Sequence, residues 1–257
     1  MIINLICGGL GNQLFQISAG FAHSLRLKTS YRINYEIGMG PGQGNIHNTY
    51  KDTVYSKIKC TTNNIFQTYT DNINENIYAP IPFEDNLCLI GYFQSQKYFK
   101  DCENEIRNLF TFPKEKTKKI REKFSKFKKK KVGVHIRMGD YKKIHEILPP
   151  VSQNYIARAL SFFNKKDHEF FLFTDDFKSV KNNFDLSIYN FLNNHDEIED
   201  MIGLSMCDSI IMSNSTFSWW GSWFGNKKEK IIAPTNWFGP KGAKQFQDLY
   251  REEMIKI

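Results

Sequence analysis

Residues 132–141, VGVHIRMGDY, set an arginine and an aspartate directly after an apolar run. Val132, Val134 and Ile136 are β-branched and apolar, and at Arg137 the run gives way to Gly139, Asp140 and Tyr141. The pattern predicts a buried strand that delivers His135, Arg137 and Asp140 at its carboxyl end. Open α/β sheets bind ligands in the crevice beyond that end. The Arg137 guanidinium stays charged at any working pH, and its fork of donors matches a phosphate bidentately. An anion clamp is therefore expected, with a structural Arg–Asp pair holding the strand-end loop as the alternative.

Three further stretches carry comparable chemistry. SNSTFSWWG at 213–221 follows a predicted strand and opens a helix. The hydroxyls there, with the free N–H groups of a first helical turn, suit a phosphate; an ordinary Ser/Thr N-cap accounts for the same residues. Trp219 and Trp220 are adjacent and are not expected to face one core together, which tilts the stretch toward a ligand. FFLFTDD at 170–176 is another strand ending in acids. Asp175 and Asp176 are candidates for a divalent cation or a base, although neighbours at a strand end point opposite ways. Asp200, near the start of a predicted helix, suits either a helix cap or the acceptance of hydrogen bonds from a base edge such as that of guanine. Finally, GGLGN at 8–12 is a glycine turn between a strand and a helix, where N–H groups can approach a ligand closely. It lacks the third glycine of a dinucleotide fingerprint.

These residues need a strand–helix framework to hold them. In the first half, Ile2–Cys7 reads as a strand, followed by a helix with Leu14, Ile17, Ser18, Phe21 and Leu25 on one face. Tyr31–Tyr35 is a second strand, Gly38–Gly44 an irregular glycine-rich loop, and 45–86 loops with short strands. Leu87–Phe93 is a strand, and Ser95–Phe110 a helix with Phe99, Cys102, Ile106 and Phe110 inward. From Lys114 to Lys131 lysine dominates, with Ile120, Phe124 and Phe127 recurring as on an amphipathic helix that ends in KKKK. That tract is either a contact for anionic lipid or nucleic acid or a solvated link between two halves, and it marks the expected boundary. Strands at 132–136, 170–174, 188–192, 209–212 and 231–234 then alternate with helices at 152–164, 176–183, 197–207 and 215–224, before a C-terminal helix at 246–255. Such alternation implies a parallel sheet covered on both faces.

The 257 residues suffice for one large or two smaller α/β domains. With 41% hydrophobic and 24% charged residues, the chain has a globular and not a disordered composition. A net charge of +8 attracts polyanions, anionic membranes and phosphorylated small molecules alike. The five cysteines form no CxxC pair, which argues against a disulfide framework or a zinc site and for a reducing compartment. MIINLICGGLGNQLF lacks the basic start and unbroken apolar run of a signal peptide. No segment approaches the ~18 apolar residues of a membrane span. A cytoplasmic protein is expected, with peripheral contact at the inner face of a membrane left open.

Taken together, GGLGNQLFQ at 8–16, GYFQSQKYF at 91–99, HIRMGDY at 135–141, FTDD at 173–176 and SNSTFSWWGSW at 213–223 resemble glycosyltransferase family 11. Its characterised members are mostly α-1,2-fucosyltransferases using GDP-fucose. The resemblance implies a GT-B-like α/β fold of two Rossmann-type parallel-sheet halves facing a cleft. It divides the chain into an acceptor-side domain at 1–127 and a GDP-sugar-binding domain at 128–257. The family's commoner motif has two adjacent arginines, and here the second position is Met138.

By the same resemblance the donor falls to Gly11, Asn12, Gln13, His135, Arg137, Asp175, Asp200, Asn214, Ser215, Thr216 and Phe217. Arg137 would lie at the β-phosphate, His135 at the phosphates or ribose, and Asp200 at guanine. The DxD spacing of metal-dependent sugar transferases is absent, so no metal or other cofactor is expected, and Arg137, the Gly11–Asn12 turn and the Ser215 and Thr216 hydroxyls would stabilise the leaving diphosphate. Inversion needs a group to take the acceptor's proton; Asp140 is the first candidate, with His145 and Glu146 behind it. The expected acceptor is a galactose-ended oligosaccharide or lipid-linked glycan, as in surface lipopolysaccharide assembly. The same fold acting on another nucleotide sugar is one alternative. A basic module that binds nucleic acid or membrane through 114–131 is another, of a different class.

Overall fold

The computed structural model describes residues 1–36, 48–62, 67–71, 76–194 and 196–257; the Gly38–Gly44 loop lies outside them. The chain forms two compact units, one of residues 1–113 with 243–251, the other of residues 114–242 with 252–257.

The first unit is built on a four-stranded parallel sheet of β1 (Ile2–Leu5), β2 (Tyr31–Asn34), β3 (Gln67–Thr70) and β4 (Leu87–Ile90), in the order β2-β1-β4-β3. Helix α1 (Leu10–Arg26) buries Leu14, Ile17 and Ser18 as its spacing predicts, while Leu25, at the end of the stripe, is exposed. The expected helix at 95–110 is broken. Two single 3-10 turns (Gln96–Tyr98 and Lys100–Cys102) precede the short α2 (Glu103–Leu109), because the backbone is extended in φ at Phe99 (−143°) and Cys102 (−137°). All four predicted inward residues, Phe99, Cys102, Ile106 and Phe110, are nonetheless buried.

The second unit has a six-stranded parallel sheet in the order β10-β9-β8-β5-β6-β7. Its strands are β5 (Lys130–Ile136), β6 (His168–Thr174), β7 (Tyr189–Asn190), β8 (Ser209–Ile211), β9 (Ile231–Ala233) and β10 (Met254–Lys256). Its helices are α3 (Lys114–Ser125), α4 (Gln153–Leu160), α5 (Phe177–Asn183), α6 (Glu197–Met206) and α7 (Thr216–Trp223). The expected C-terminal helix is absent: Gln247–Leu249 makes one 3-10 turn, and Met254–Lys256 pairs with the open edge of β9.

Two devices seat this unit's helices. Ile120 and Phe124 of α3 are buried, with Phe124 and Phe127 packing edge-on against Phe171 of β6 at 4.9 and 4.8 Å. Trp219 and Trp220 are both fully buried, contrary to expectation, because α7 is buried all round from Ser218 to Trp223. Trp220 meets Trp219 at 5.1 Å and Trp223 at 5.0 Å, and Gly221 lets Leu204 of α6 approach to 2.8 Å of where a Cβ would stand. Burying a large apolar side chain contributes ~1.5–3 kcal/mol, so this cluster anchors the loop ahead of α7.

Candidate functional site

The register of the second sheet brings three loops together. Ile136 lies opposite Thr174 and Val134 opposite Ile211, so the chain leaves β5, β6 and β8 side by side at Arg137, Asp175 and Ser213. Arg137 is the hub. Its Nε lies 3.1 Å from Asp140 Oδ1 and 3.2 Å from Asp175 Oδ2, and its Nη2 lies 3.0 Å from Asp140. Its face rests on the Tyr141 ring at 5.7 Å. Burial alone would lower the guanidinium pKa, but Asp175 and then Asp140 raise it. The ion-pair alternative is therefore present, and it braces the arginine from one side only. Among the described residues Nη1 has no partner, and with 28% of the side chain exposed the outer edge of the fork is open to an oxyanion.

Ser213 ties the first and third loops. Its hydroxyl accepts from the Arg137 backbone N–H (3.0 Å), donates to the His135 carbonyl (2.9 Å) and lies 3.0 Å from His135 Nδ1. A hydroxyl has one proton, so with that proton on the carbonyl the Nδ1–H must be the donor, which leaves Nε2 as an acceptor. Burial pushes the His135 pKa down to about 3, helped by Arg137 and opposed by Asp175. The ring is neutral at physiological pH and lends no charge; Nε2 can accept from a ribose hydroxyl but has no proton to give a phosphate oxygen. Phe217 packs on it at 5.4 Å.

The 213–217 loop divides its labour. Ser215 is the N-cap of α7, its Oγ accepting from Phe217 N at 3.3 Å, and Thr216 is the helix's first residue. Asn214 turns inward, its side-chain amide donating to the carbonyls of Pro149 (3.0 Å) and Trp237 (2.8 Å), while its main-chain carbonyl accepts from the Tyr141 hydroxyl at 2.9 Å. Its side chain holds loops together and does not reach toward the Arg137 fork with its amide.

The two acids after β6 diverge as expected. Asp175 accepts from Met138 N at 2.9 Å and pairs with Arg137, whereas Asp176 caps α5 and meets Lys142 at 2.5 Å. Gly139 is required by this packing, since a Cβ there would stand 2.3 Å from Asp175 Oδ2. Met138, where the family motif commonly has a second arginine, is buried in the core below the loop.

Of the base candidates, only Asp140 is gathered at Arg137. Glu146 is exposed and pairs with Lys241 at 2.7 Å, and His145 is exposed. Asp200 does not cap α6, a role Asp196 fills by accepting from Glu199 N. It lies one turn further on, half-buried, with Asn194 Nδ2 2.8 Å from Oδ1. Burial pushes its carboxyl up to about 6, with Asp196, Glu199 and Glu197 adding to the rise and Asn194 opposing it.

Gly11, Asn12 and Gln13 belong to the first unit, where α1 already begins at Leu10. Gly8, at φ +76°, makes the turn; Gln13 Nε2 donates to its carbonyl at 2.8 Å, and Asn12 Oδ1 accepts from Gln94 at 2.9 Å. Ser213 and Gln94 stand in stretches the sequence marks but receive no site role of their own there. The available signal is position, since each falls within a few residues of a strand's carboxyl end in a motif already marked. Among the described residues no group of three or more His, Cys, Asp or Glu is arranged to hold a metal ion, and no helix is long and apolar enough to cross a membrane.

The sequence profile of glycosyl transferase family 11 matches residues 46–257. The chain is similar to the alpha-1,2-colitosyltransferase of Escherichia coli, at 28% identity over 305 aligned residues covering 100% of this chain and 99% of that protein. It is also similar to the O-antigen biosynthesis glycosyltransferase WbnK of E. coli, at 28% identity over 295 residues covering 91% and 93%. Among solved structures, the α-1,6-fucosyltransferase NodZ co-crystallized with GDP aligns with a TM-score of 0.58 at 13% identity, covering 87% of this chain and 92% of that one. The two parallel-sheet halves are thus those of a GT-B-like fold.

Proposed function

The chain belongs to glycosyltransferase family 11, and from that membership we propose that it is an inverting, metal-independent α-1,2-fucosyltransferase. It moves fucose from GDP-fucose to a galactose-terminated oligosaccharide or lipid-linked glycan. The observation that carries this reading is the half-braced Arg137, whose open fork edge stands at the end of a central strand, its backbone N–H tied to Ser213 in the loop that leads into α7. As the sugar leaves, negative charge grows on the diphosphate, and fixed donors that meet this growing charge lower the barrier. Arg137 and the first-turn N–H groups of α7 supply those donors, and Asp140 and Asp175 hold the guanidinium in place beforehand. The neutral His135 accepts a hydrogen bond from a ribose hydroxyl through Nε2. Asp200 accepts from the guanine edge. Asp140 takes the acceptor hydroxyl's proton, because it is the candidate held at Arg137 while Glu146 is paired in solvent.

The resemblance to a colitosyltransferase over the whole chain favours one second reading, the same chemistry on a nucleotide sugar other than GDP-fucose. Incubation with GDP-fucose and a galactose-ended disaccharide in EDTA tests both. The proposal expects GDP release and a fucosylated product carrying an α-1,2 bond by NMR. Transfer only from another nucleotide sugar, with release of that donor's own nucleoside diphosphate, would support the second reading, and a metal requirement would remove the metal-independent assignment.

A further inference from the structure

Three lysines of the basic helix α3 face the acids of α6. Lys116 pairs with Asp196, Lys119 lies 2.8 Å from Glu199, and Lys123 lies 3.8 Å from Glu199. Lys123 does more than pair charge. Its ammonium donates to the Asn193 carbonyl at 3.1 Å and to Asn194 Oδ1 at 3.0 Å. Asn193 is one of the few non-glycine residues at positive φ (+49°), so the ammonium ties down a bend that an L-residue adopts at a cost. An ammonium can only donate, so it also decides which way the Asn194 amide points. The carbonyl oxygen must face Lys123 and the NH2 must face Asp200, whose Oδ1 it meets at 2.8 Å. Among the described residues Asp200 Oδ2 has no side-chain partner.

We propose that Lys123 and Asn194 are positioning residues for nucleotide recognition, a relay from α3 that aims the Asp200 carboxylate at the paired N–H donors of a guanine base. This rests on the proposed role of Asp200 as the carboxylate that reads guanine. The chemistry fits, because guanine presents N1–H and an exocyclic N2–H together, and a carboxylate steadied through Oδ1 keeps Oδ2 and the remaining lone pair of Oδ1 to receive them. Only the carboxylate form accepts both. The charged groups around it are Asp196, Glu197 and Glu199 at the start of α6 and Lys123 on α3, with Lys119 held on Glu199, and the Asn194 hydrogen bond favours its ionised form. Without Asn194, protonation of Asp200 moves to higher pH and guanine binding fails earlier as the solution is acidified.

The test compares GDP with inosine diphosphate, which lacks the exocyclic amino group, by calorimetric titration of the full chain. Wild type should prefer GDP by about tenfold or more, the worth of one charge-assisted hydrogen bond. Lys123→Met and Asn194→Ala should each bring that preference close to unity, Lys123→Arg should retain it, and Asn194→Ala should shift the acid limb of GDP binding upward. Lys116→Met, which breaks a neighbouring ion pair outside the relay, should keep the preference. If Asp200→Asn abolishes discrimination while the Lys123 and Asn194 variants discriminate like wild type, the relay is overturned and the reading of Asp200 stands. Unchanged discrimination in Asp200→Asn overturns the reading itself and the relay with it.

Discussion

Arg137 is held by two carboxylates on one side and open on the other, and that asymmetry decides what each neighbour can do. Asp140→Asn leaves Asp175 as a brace, so GDP affinity should change little while kcat falls by ~10²–10⁴-fold if Asp140 is the base; steady-state kinetics beside titration of GDP separates the two. His135 offers a second check through stability. Its folded pKa lies near 3, below the ordinary value, so an unfolded chain binds a proton that the native chain does not. Its contribution is fully present above about pH 6.5 and is lost as the pH falls from there toward 3, by about 2 kcal/mol at pH 5. Urea unfolding at pH 7.5 and pH 5 should show a larger loss for wild type than for His135→Gln. Arg137 and Asp140 were legible as chemistry because an apolar strand ends on them. Asn214 was not legible as a loop clamp, because its partners Pro149 and Trp237 are 65 and 23 residues away in sequence.

At the scale of elements, α7 shows how burial shapes the site. Its hydroxyl cap sits on a helix enclosed by tryptophans, so Ser215→Ala should cost ~1 kcal/mol and loosen the loop that Ser213 ties to Arg137. Thermal unfolding and GDP titration of that variant should move together. The parallel alternation was readable from the spacing of apolar runs, and the ends of elements were not. Phe99, Cys102, Ile106 and Phe110 recur at three and four residues, a spacing that single 3-10 turns satisfy as well as a helix does. Met254–Lys256 is too short to announce a strand, and only the open edge of β9 makes it one. The lysines of α3 read equally well as a basic surface. Their partners, on α6 and in the loop that leads into it, lie 70–80 residues further along, and three of the lysines are engaged there.

The molecule as a whole is two units whose chain passes from the first to the second at residue 114, returns to the first at 243 and ends in the second. The second unit therefore depends on residues from the far end of the sequence. Ending the chain at Arg251 would strip β10 from β9 and remove Ile257 from the core beneath the site. Such a truncation should lower the melting temperature by several degrees and weaken GDP binding in calorimetry. Part of the lysine content is engaged inside the second unit, where Lys116, Lys119 and Lys123 meet Asp196 and Glu199. The claim on which everything else depends is that a guanine nucleotide binds at Arg137 without a metal. Calorimetric titration of GDP, UDP and GDP-fucose in EDTA, on wild type and Arg137→Ala, tests it directly. The account predicts tight binding of GDP and GDP-fucose, weak binding of UDP, and a loss of at least tenfold in the variant. Binding of UDP in preference to GDP, or GDP binding that survives Arg137→Ala, would contradict it.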